Sequence, residues 1–235
     1  MIARSALLLL SLVLTLGCSS AGAWKYRPLS HRRTAAPAPQ RVAVLPFEDR
    51  RAEVNSNKAL IYLIPLMPYG WMDYDEIEGA SGFIAHAAYQ IRPAEDLAKA
   101  VVSELEAANL FDEVFYTDRR EQPDVDLILQ GYVEQFHYEG KLISYCLSIY
   151  GPLLWIFGLP AGHARNTLAV GLELRRAADG EVVWRSAPTL DERSVTIGLY
   201  YDWGEEFEGY PEMMQDAALA WVDGLTRYVE SGARN

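Results

Sequence analysis

The chain has 235 residues, half of them hydrophobic, with 21 Lys plus Arg against 32 Asp plus Glu and a formal net charge of −11. That acidity argues against a nucleic-acid-binding surface and against charge-driven docking on anionic lipid. Two cysteines exclude a disulfide-built scaffold, so stability must come from an apolar core.

At the N-terminus Arg4 precedes an apolar run at 6–16 of signal-peptide length, too short to span a bilayer comfortably. The run ends in TLGC, with small Gly17 before Cys18 and a polar SSAGA stretch after it. This resembles the lipobox of bacterial lipoproteins, with Thr15 where Leu is usual. The resemblance implies that residues 1–17 are removed and that Cys18 becomes the first mature residue and carries acyl chains. It also implies that Ser19 directs sorting to the outer membrane, leaving the domain facing the periplasm. Several acyl chains exceed the one-chain threshold for stable anchoring. Loss of Arg4 with the leader takes the mature net charge to about −12. Residues 18–40 are polar, Ala/Pro-rich and aperiodic, and read as the lipidated Cys and a flexible tether. His31, Arg32 and Arg33 form a solvated basic cluster within it.

The domain, taken as a single unit over 41–235, opens with RVAVLPFEDRR (41–51). Val42, Val44 and Phe47 fit a buried strand, and Pro46 forces its end. Residues 52–92 form an insertion without clean periodicity. It holds an uncharged run, ALIYLIPLMPYGWM (59–72), and then an acidic DYDEIE (73–78). The pattern at 92–111 predicts a helix, with Pro93 at its first position, Glu95 and Asp96 at its positive dipole end, and Asn109 as its stop. Leu97, Val101, Leu105 and Ala108 make its buried stripe. Strands follow at 113–117 and 125–140, the second with apolar residues on both faces as for a central strand. Residues 166–187 predict a hairpin in which Leu168, Val170, Leu172 and Leu174 face inward and Asp179-Gly180 supplies the turn. A final helix starts at Pro211 with Met214, Ala218, Trp221, Leu225 and Tyr228 as its seam. The fold class is therefore α+β (mixed α/β), a mixed sheet of about five strands with two main helices on one face and apolar insertions at 52–92 and 141–165.

The second insertion carries ISYCLSIYGPLLWIFGLPAG (143–162), twenty residues without a charge, as long as a membrane span. Pro152, Pro160 and three glycines loosen it as a helix, and a single crossing would separate strands that belong to one sheet. A re-entrant apolar excursion fits better. Either the two uncharged runs pack together and cap the sheet, or they lie exposed as a docking surface for membrane or partner. The candidate docking residues are Tyr62, Leu66, Met67 and Trp71 from the first run, and Leu153, Leu154, Trp155 and Phe157 from the second.

The combination of RVAVLPF, the helix at 97–105 and the pattern D-hydrophobic-hydrophobic-hydrophobic-x-G at Asp126 through Gly131 resembles small envelope lipoproteins with a TolB N-terminal-domain-like fold. That group includes the curli-secretion and penicillin-binding-protein-activator lipoproteins. The resemblance covers residues 41–135 well and 166–231 in element order. It implies a non-enzymatic outer-membrane lipoprotein acting as an accessory, scaffold or interaction module in a cell-envelope assembly, with an envelope protein as partner. A subunit of an oligomeric secretion or pore complex is the second reading, in which the chain assembles as a homo-oligomer.

Little in the sequence points to catalysis. His31, His86, His137 and His163 lie far apart without metal-ligand spacing, and no cofactor or metal is expected. Cys146 sits among apolar neighbours and reads as a small core or interface residue. Asp73, Asp75, Glu76 and Glu78 could ligate calcium but lack EF-hand spacing, which favours a solvated loop. A third reading, an envelope sugar- or peptide-binding hydrolase, rests on the carboxylates and aromatics at 202–212, with Asp202, Glu205 and Glu206 as the testable groups. The bland alternative packs those aromatics on the sheet edge.

Overall fold

The computed structural model describes residues 22–29, 34, 36–83, 88–119 and 124–232. The leader, Cys18, His31, Arg32, Arg33 and His86 lie outside the described residues. β1 (Ala38–Asp49) is held in parallel between β4 (Phe111–Tyr116) and β5 (Leu127–Ile143). The crossover from β1 to β4 is α1 (Pro93–Ala108), whose end is set by Asn109 in the left-handed region at φ 54°. β5 pairs antiparallel with β6 (Pro160–Arg176), and β6 with β7 (Val182–Gly198), so two seventeen-residue strands form a long ribbon beside it. Gly180, at φ 74°, lies in the turn between them. The chain closes with α3 (Gly209–Gly232).

The class is mixed α/β as the periodicity predicts, but the sheet has seven strands among the described residues instead of about five. The five expected strands are β1, β4, β5, β6 and β7. β2 (Asn55–Lys58) and β3 (Tyr69–Tyr74) arise inside the aperiodic 52–92 stretch. β2 is polar throughout and carries no β-former, so no local pattern announces it. β3 does alternate, turning Gly70, Met72 and Tyr74 inward. Its pairing with Tyr138–Ile143 of β5 gives it a place.

Both long helices lie on one face of the sheet. The α1 stripe (Leu97, Val101, Leu105, Ala108) and the α3 seam (Met214, Ala218, Trp221, Leu225) are each at most 2% exposed. They meet Val42 and Val44, Leu129, Val133 and Phe136, and Leu168 through Leu174 in one continuous core. The opposite sheet face is the more polar one. On it β5 carries Gln130, Gln135, His137, Glu139 and Lys141 beside Ile128 and the buried Tyr132, so the expected two-sided apolar pattern holds at the start of the strand and fails beyond Val133. Ion pairs tile this face, from Glu173 with Arg175 (2.5 Å) and Arg185 (2.9 Å) to Glu139 with Lys141 (2.9 Å).

Where a free tether is expected, residues 22–29 pack along the helix layer. The Trp24 amide donates to the Gln90 carbonyl (3.0 Å), and its ring stacks on Tyr26 (5.7 Å) and meets Phe136 edge-on (6.5 Å). Tyr26 donates its hydroxyl to Glu104 (2.5 Å), and Gln215 of α3 donates to the Arg27 carbonyl (2.9 Å). Polar, aperiodic composition hides two aromatic anchors, each worth far more burial than its neighbours.

The motif pair in β1 and β5 has a direct packing reason. Asp126 accepts from the Arg41 amide (2.8 Å) and returns its own amide to the Arg41 carbonyl (3.1 Å), fixing the register where both strands begin. Pro46 has no N–H to give, and the β1–β5 register shifts between Leu45 and Glu48. Phe47 then turns into the core directly over Gly131. A methyl at Gly131 would sit 2.3 Å from the Phe47 ring, so the glycine is a space requirement. Gly131→Ala is expected to cost about 1–3 kcal/mol in urea unfolding. Combining it with Phe47→Leu should recover part of that loss, and full additivity of the two would refute the close approach.

Candidate docking surface

β1 leaves β5 at Val133, yet β5 continues to Ile143, ten residues or roughly 33 Å further. This extension, with β6 alongside and β3 on its other edge, carries the two uncharged runs at its end. Among the described residues no helix is long and apolar enough to cross a membrane. Residues 143–162 instead finish β5, turn through Tyr145, Cys146 and Ser148 at positive φ, form the short α2 (Gly151–Ile156) and start β6. The first run forms a 3-10 turn at Ala59–Leu63 and then enters β3.

The two runs are locked to each other. The Ser144 amide donates to the Pro68 carbonyl (2.9 Å) and its hydroxyl to the Met67 carbonyl, while Ser148 donates to the Leu63 carbonyl. Trp155 is the keystone. It is 6% exposed, donates its indole N–H to the Ile143 carbonyl (3.1 Å), and forms a second small core with Leu142 and Ala161. Tyr62, Phe83 and Tyr145 pack against that core. Gly151 is required here, since a Cβ would lie 2.4 Å from the Ser144 carbonyl oxygen.

The outer side of this cap is bare. Nineteen large hydrophobic side chains are exposed among the described residues, and sixteen of them lie in three loops, 60–69, 147–159 and 199–203. Of the sequence-predicted docking residues, Leu66 (81% exposed), Phe157 (79%) and Leu153 (53%) point outward. Tyr62, Met67, Trp71 and Leu154 are half-buried, and buried Trp155 builds the cap instead of presenting it. Sequence reasoning missed Leu60, Ile149 and Tyr150, and it did not join the third loop to the other two. There Tyr200 donates its hydroxyl to the Ile156 carbonyl (2.9 Å), joining Tyr201 and Trp203 to the patch. Of the aromatics beside acids at 200–212, Phe207 and Tyr210 pack into the core as the bland alternative expects, whereas Tyr200 is 67% exposed. Cys146, expected in a core or interface, is an exposed free thiol on the cap's turn.

Other chemistry-bearing groups are engaged elsewhere. Asp73, Asp75 and His137 lie close enough to share a cation. The imidazole itself fills the gap, with Nδ1 2.9 Å from Asp75 and Nε2 3.6 Å from Asp73. Arg51, its side chain 3% exposed, bridges Asp49 and Glu78 at 2.7 Å each, so Glu78 is an ion-pair partner where a solvated loop was expected. The hydrolase candidates diverge: Asp202 and Glu205 face solvent, Glu212 pairs with Arg193, and Glu206 turns inward against Gly82 and the Phe83 amide (3.4 Å). Burial pushes the Glu206 carboxyl above its ordinary range, against the lowering effect of its backbone hydrogen bonds.

Truncating Trp155→Ala should cost about 3 kcal/mol of local stability, read as roughly hundredfold faster amide exchange at 142–147 and 161–163 with α1 unchanged. Equal acceleration in α1 would show that the cap is not a separate cooperative unit. Because the Glu206 pKa is raised on folding, the folded chain binds more protons than the unfolded one between the two values. Its contribution to stability is therefore lost as pH rises through that window. Glu206→Gln keeps the acceptor for the Phe83 amide, so its Tm advantage over the parent should widen from pH 4 to pH 7. A constant difference across that range would contradict the burial argument.

No family model matches the sequence, and no curated protein matches it. Among solved structures, similarity is found to a DUF330 protein from Xanthomonas campestris, at 15% identity over 91% of this chain and 98% of that one, with a TM-score of 0.48. It is also found to the PelC dodecamer from Paraburkholderia phytofirmans in two crystal forms. One shows 14% identity over 84% of this chain and 96% of that one, with a TM-score of 0.39. The other shows 12% identity over 86% and 92%, with a TM-score of 0.35. No assignment is carried over from these likenesses.

Proposed function

We propose that this chain is a non-enzymatic lipoprotein, anchored to the outer membrane through Cys18, that serves as an accessory or scaffold module in a cell-envelope assembly. The observation that carries the reading is the apolar tip, where sixteen exposed hydrophobic side chains gather on three loops at one end of the molecule. A patch of that kind marks a docking surface, not a solvated end. The leader and TLGC sequence support the anchor. The divergence of Asp202, Glu205, Glu206 and Glu212 favours docking over hydrolysis, since paired acid–base work needs two carboxyl groups facing one space.

Mass spectrometry of the mature N-terminal peptide should find it beginning at Cys18 and carrying acyl chains, and the Cys18→Ala chain should be absent from the outer-membrane fraction. A mature protein that begins elsewhere and carries no lipid would sink the reading.

A further inference from the structure

The packed N-terminal segment limits where the anchor can be. The Gly22 carbonyl accepts from the Gln90 amide (3.1 Å), and Ala23 pairs with Gln90, so only residues 18–21 separate Cys18 from chain fixed to the body. Four extended residues reach about 14 Å at most. Gly22 and Ala23 line the same cleft as Gly204 and Phe207, immediately after the exposed 199–203 loop. The Phe207 ring packs at a tilt against those of Tyr89 and Tyr138, both at 4.8 Å between centroids. Gly22 is therefore near the level of Tyr138, four residues from Leu142 at the cap, roughly 13 Å along β5. The opposite end of the molecule, where Leu127 pairs with Arg176, is eleven residues down the same strand, roughly 36 Å away. Cys18 can reach the level of Leu142, at the base of the tip, and cannot reach the other end.

The chemistry of the tip matches what it meets there. Residues 59–72 and 143–162 carry no charge. Leu66, Phe157 and Leu60 are the most exposed, at 81%, 79% and 73%, and Tyr69, Tyr150, Tyr200 and Trp203, each with a polar atom on its ring, are exposed among them. Lys58 and Lys141 flank the runs, their ammonium groups 5.6 Å from the Trp71 ring and 5.9 Å from the Tyr69 ring. Exposed apolar side chains mixed with amphipathic aromatics, with lysines at the margin, are the composition that suits a bilayer interface.

We infer that the occupant of the tip is the lipid leaflet that holds the Cys18 acyl chains, and that the tip dips into it to fix the orientation of the body. This rests on the Cys18 anchor. The acyl chains supply the attachment, and the tip supplies the angle, standing the β5–β6 ribbon away from the membrane with its polar face open along its length. Because residues 59–72 and 143–162 carry no charge, insertion of these two runs draws on apolar burial, and their depth changes little with salt.

The test uses the mature lipidated protein in vesicles of phosphatidylethanolamine and phosphatidylglycerol, with Cys146→Ser to remove the exposed thiol. Spin labels are placed through Leu66→Cys, Phe157→Cys and, as the distant control, Asp179→Cys. Labels at 66 and 157 should be accessible to oxygen, shielded from a water-soluble nickel chelate and about 5–10 Å below the phosphates, unchanged in high salt, with the label at 179 in water. Labels at 66 and 157 as open to nickel as the one at 179 would overturn the inference, as would spectra broadened by contact between tips of neighbouring copies. The mass of the N-terminal peptide separates the two failures. An acylated chain with a wet tip loses only this inference, and an unacylated chain loses the anchor and the inference together.

Discussion

β5 is the constraint on which everything else depends, because one edge of it serves two partners in succession. β1 occupies Leu127–Val133 and β3 occupies Tyr138–Ile143, while β6 runs along the whole of the other edge. Between the two partners the edge would be open, which in an antiparallel ribbon invites pairing with another chain. The handover is closed by polar groups. The Arg50 amide donates to the Val133 carbonyl (2.9 Å), Arg51 ties the end of β1 to Glu78, and His137 on β5 holds Asp73 and Asp75 beside β3. The register between β5 and β6 also shifts between Val133 and Gln135, a bulge at the same level. The lower half of β5 belongs to the two-helix core and the upper half to the cap.

This division explains which parts of the fold were legible in the sequence. The lower half is built from elements long enough to complete their period: sixteen residues of α1, twenty-four of α3, and the alternation of Leu168 to Leu174 in β6. The upper half is built from pieces too short for that. α2 has six residues and the 3-10 turn at Ala59–Leu63 has five, so an uncharged run shows that the segment is apolar without showing which side faces water. That is why Trp155 and Leu66 read alike in sequence and differ so sharply in exposure, 6% against 81%. His137 and Asp75 are 62 residues apart and meet only because the β3–β5 register sets Tyr74 against Tyr138. No local pattern encodes that pairing. The segment at 22–29 was hidden for a different reason, since two aromatics spaced by one residue anchor a stretch whose average composition is that of a linker.

The two solvent-facing surfaces are unlike in kind. The uncovered sheet face holds its charges in local pairs such as Glu139 with Lys141 and Arg165, and the hydrogen bond from Lys141 holds the Glu139 carboxyl below its ordinary range. Exposed pairs of this sort contribute at most about 1 kcal/mol each, so they keep the face soluble more than they hold the fold. The tip has the opposite economy of charge. Its two uncharged runs are fixed from behind by backbone hydrogen bonds and by Trp155, which holds a hydrophobic surface in place without burying it.

A rigid tip and a short lead from Cys18 act on the same degree of freedom. With four residues, 18–21, between the acylated end and the Gly22 hydrogen bond, the lipid sets the height of one end of the molecule but leaves the body free to pivot about it. Three loops spread around the end of the ribbon resist that pivot, because tilting would lift Leu66 or Phe157 out of apolar surroundings at a cost of about 1.5–3 kcal/mol for each fully exposed side chain. That penalty is several times RT, enough to restrict the tilt to a narrow range while the loops keep their places. On the proposed orientation, the polar face of β5, β6 and β7 is presented side-on along the ribbon at a fixed height above the leaflet, where an envelope partner can approach it without competing with lipid for the tip.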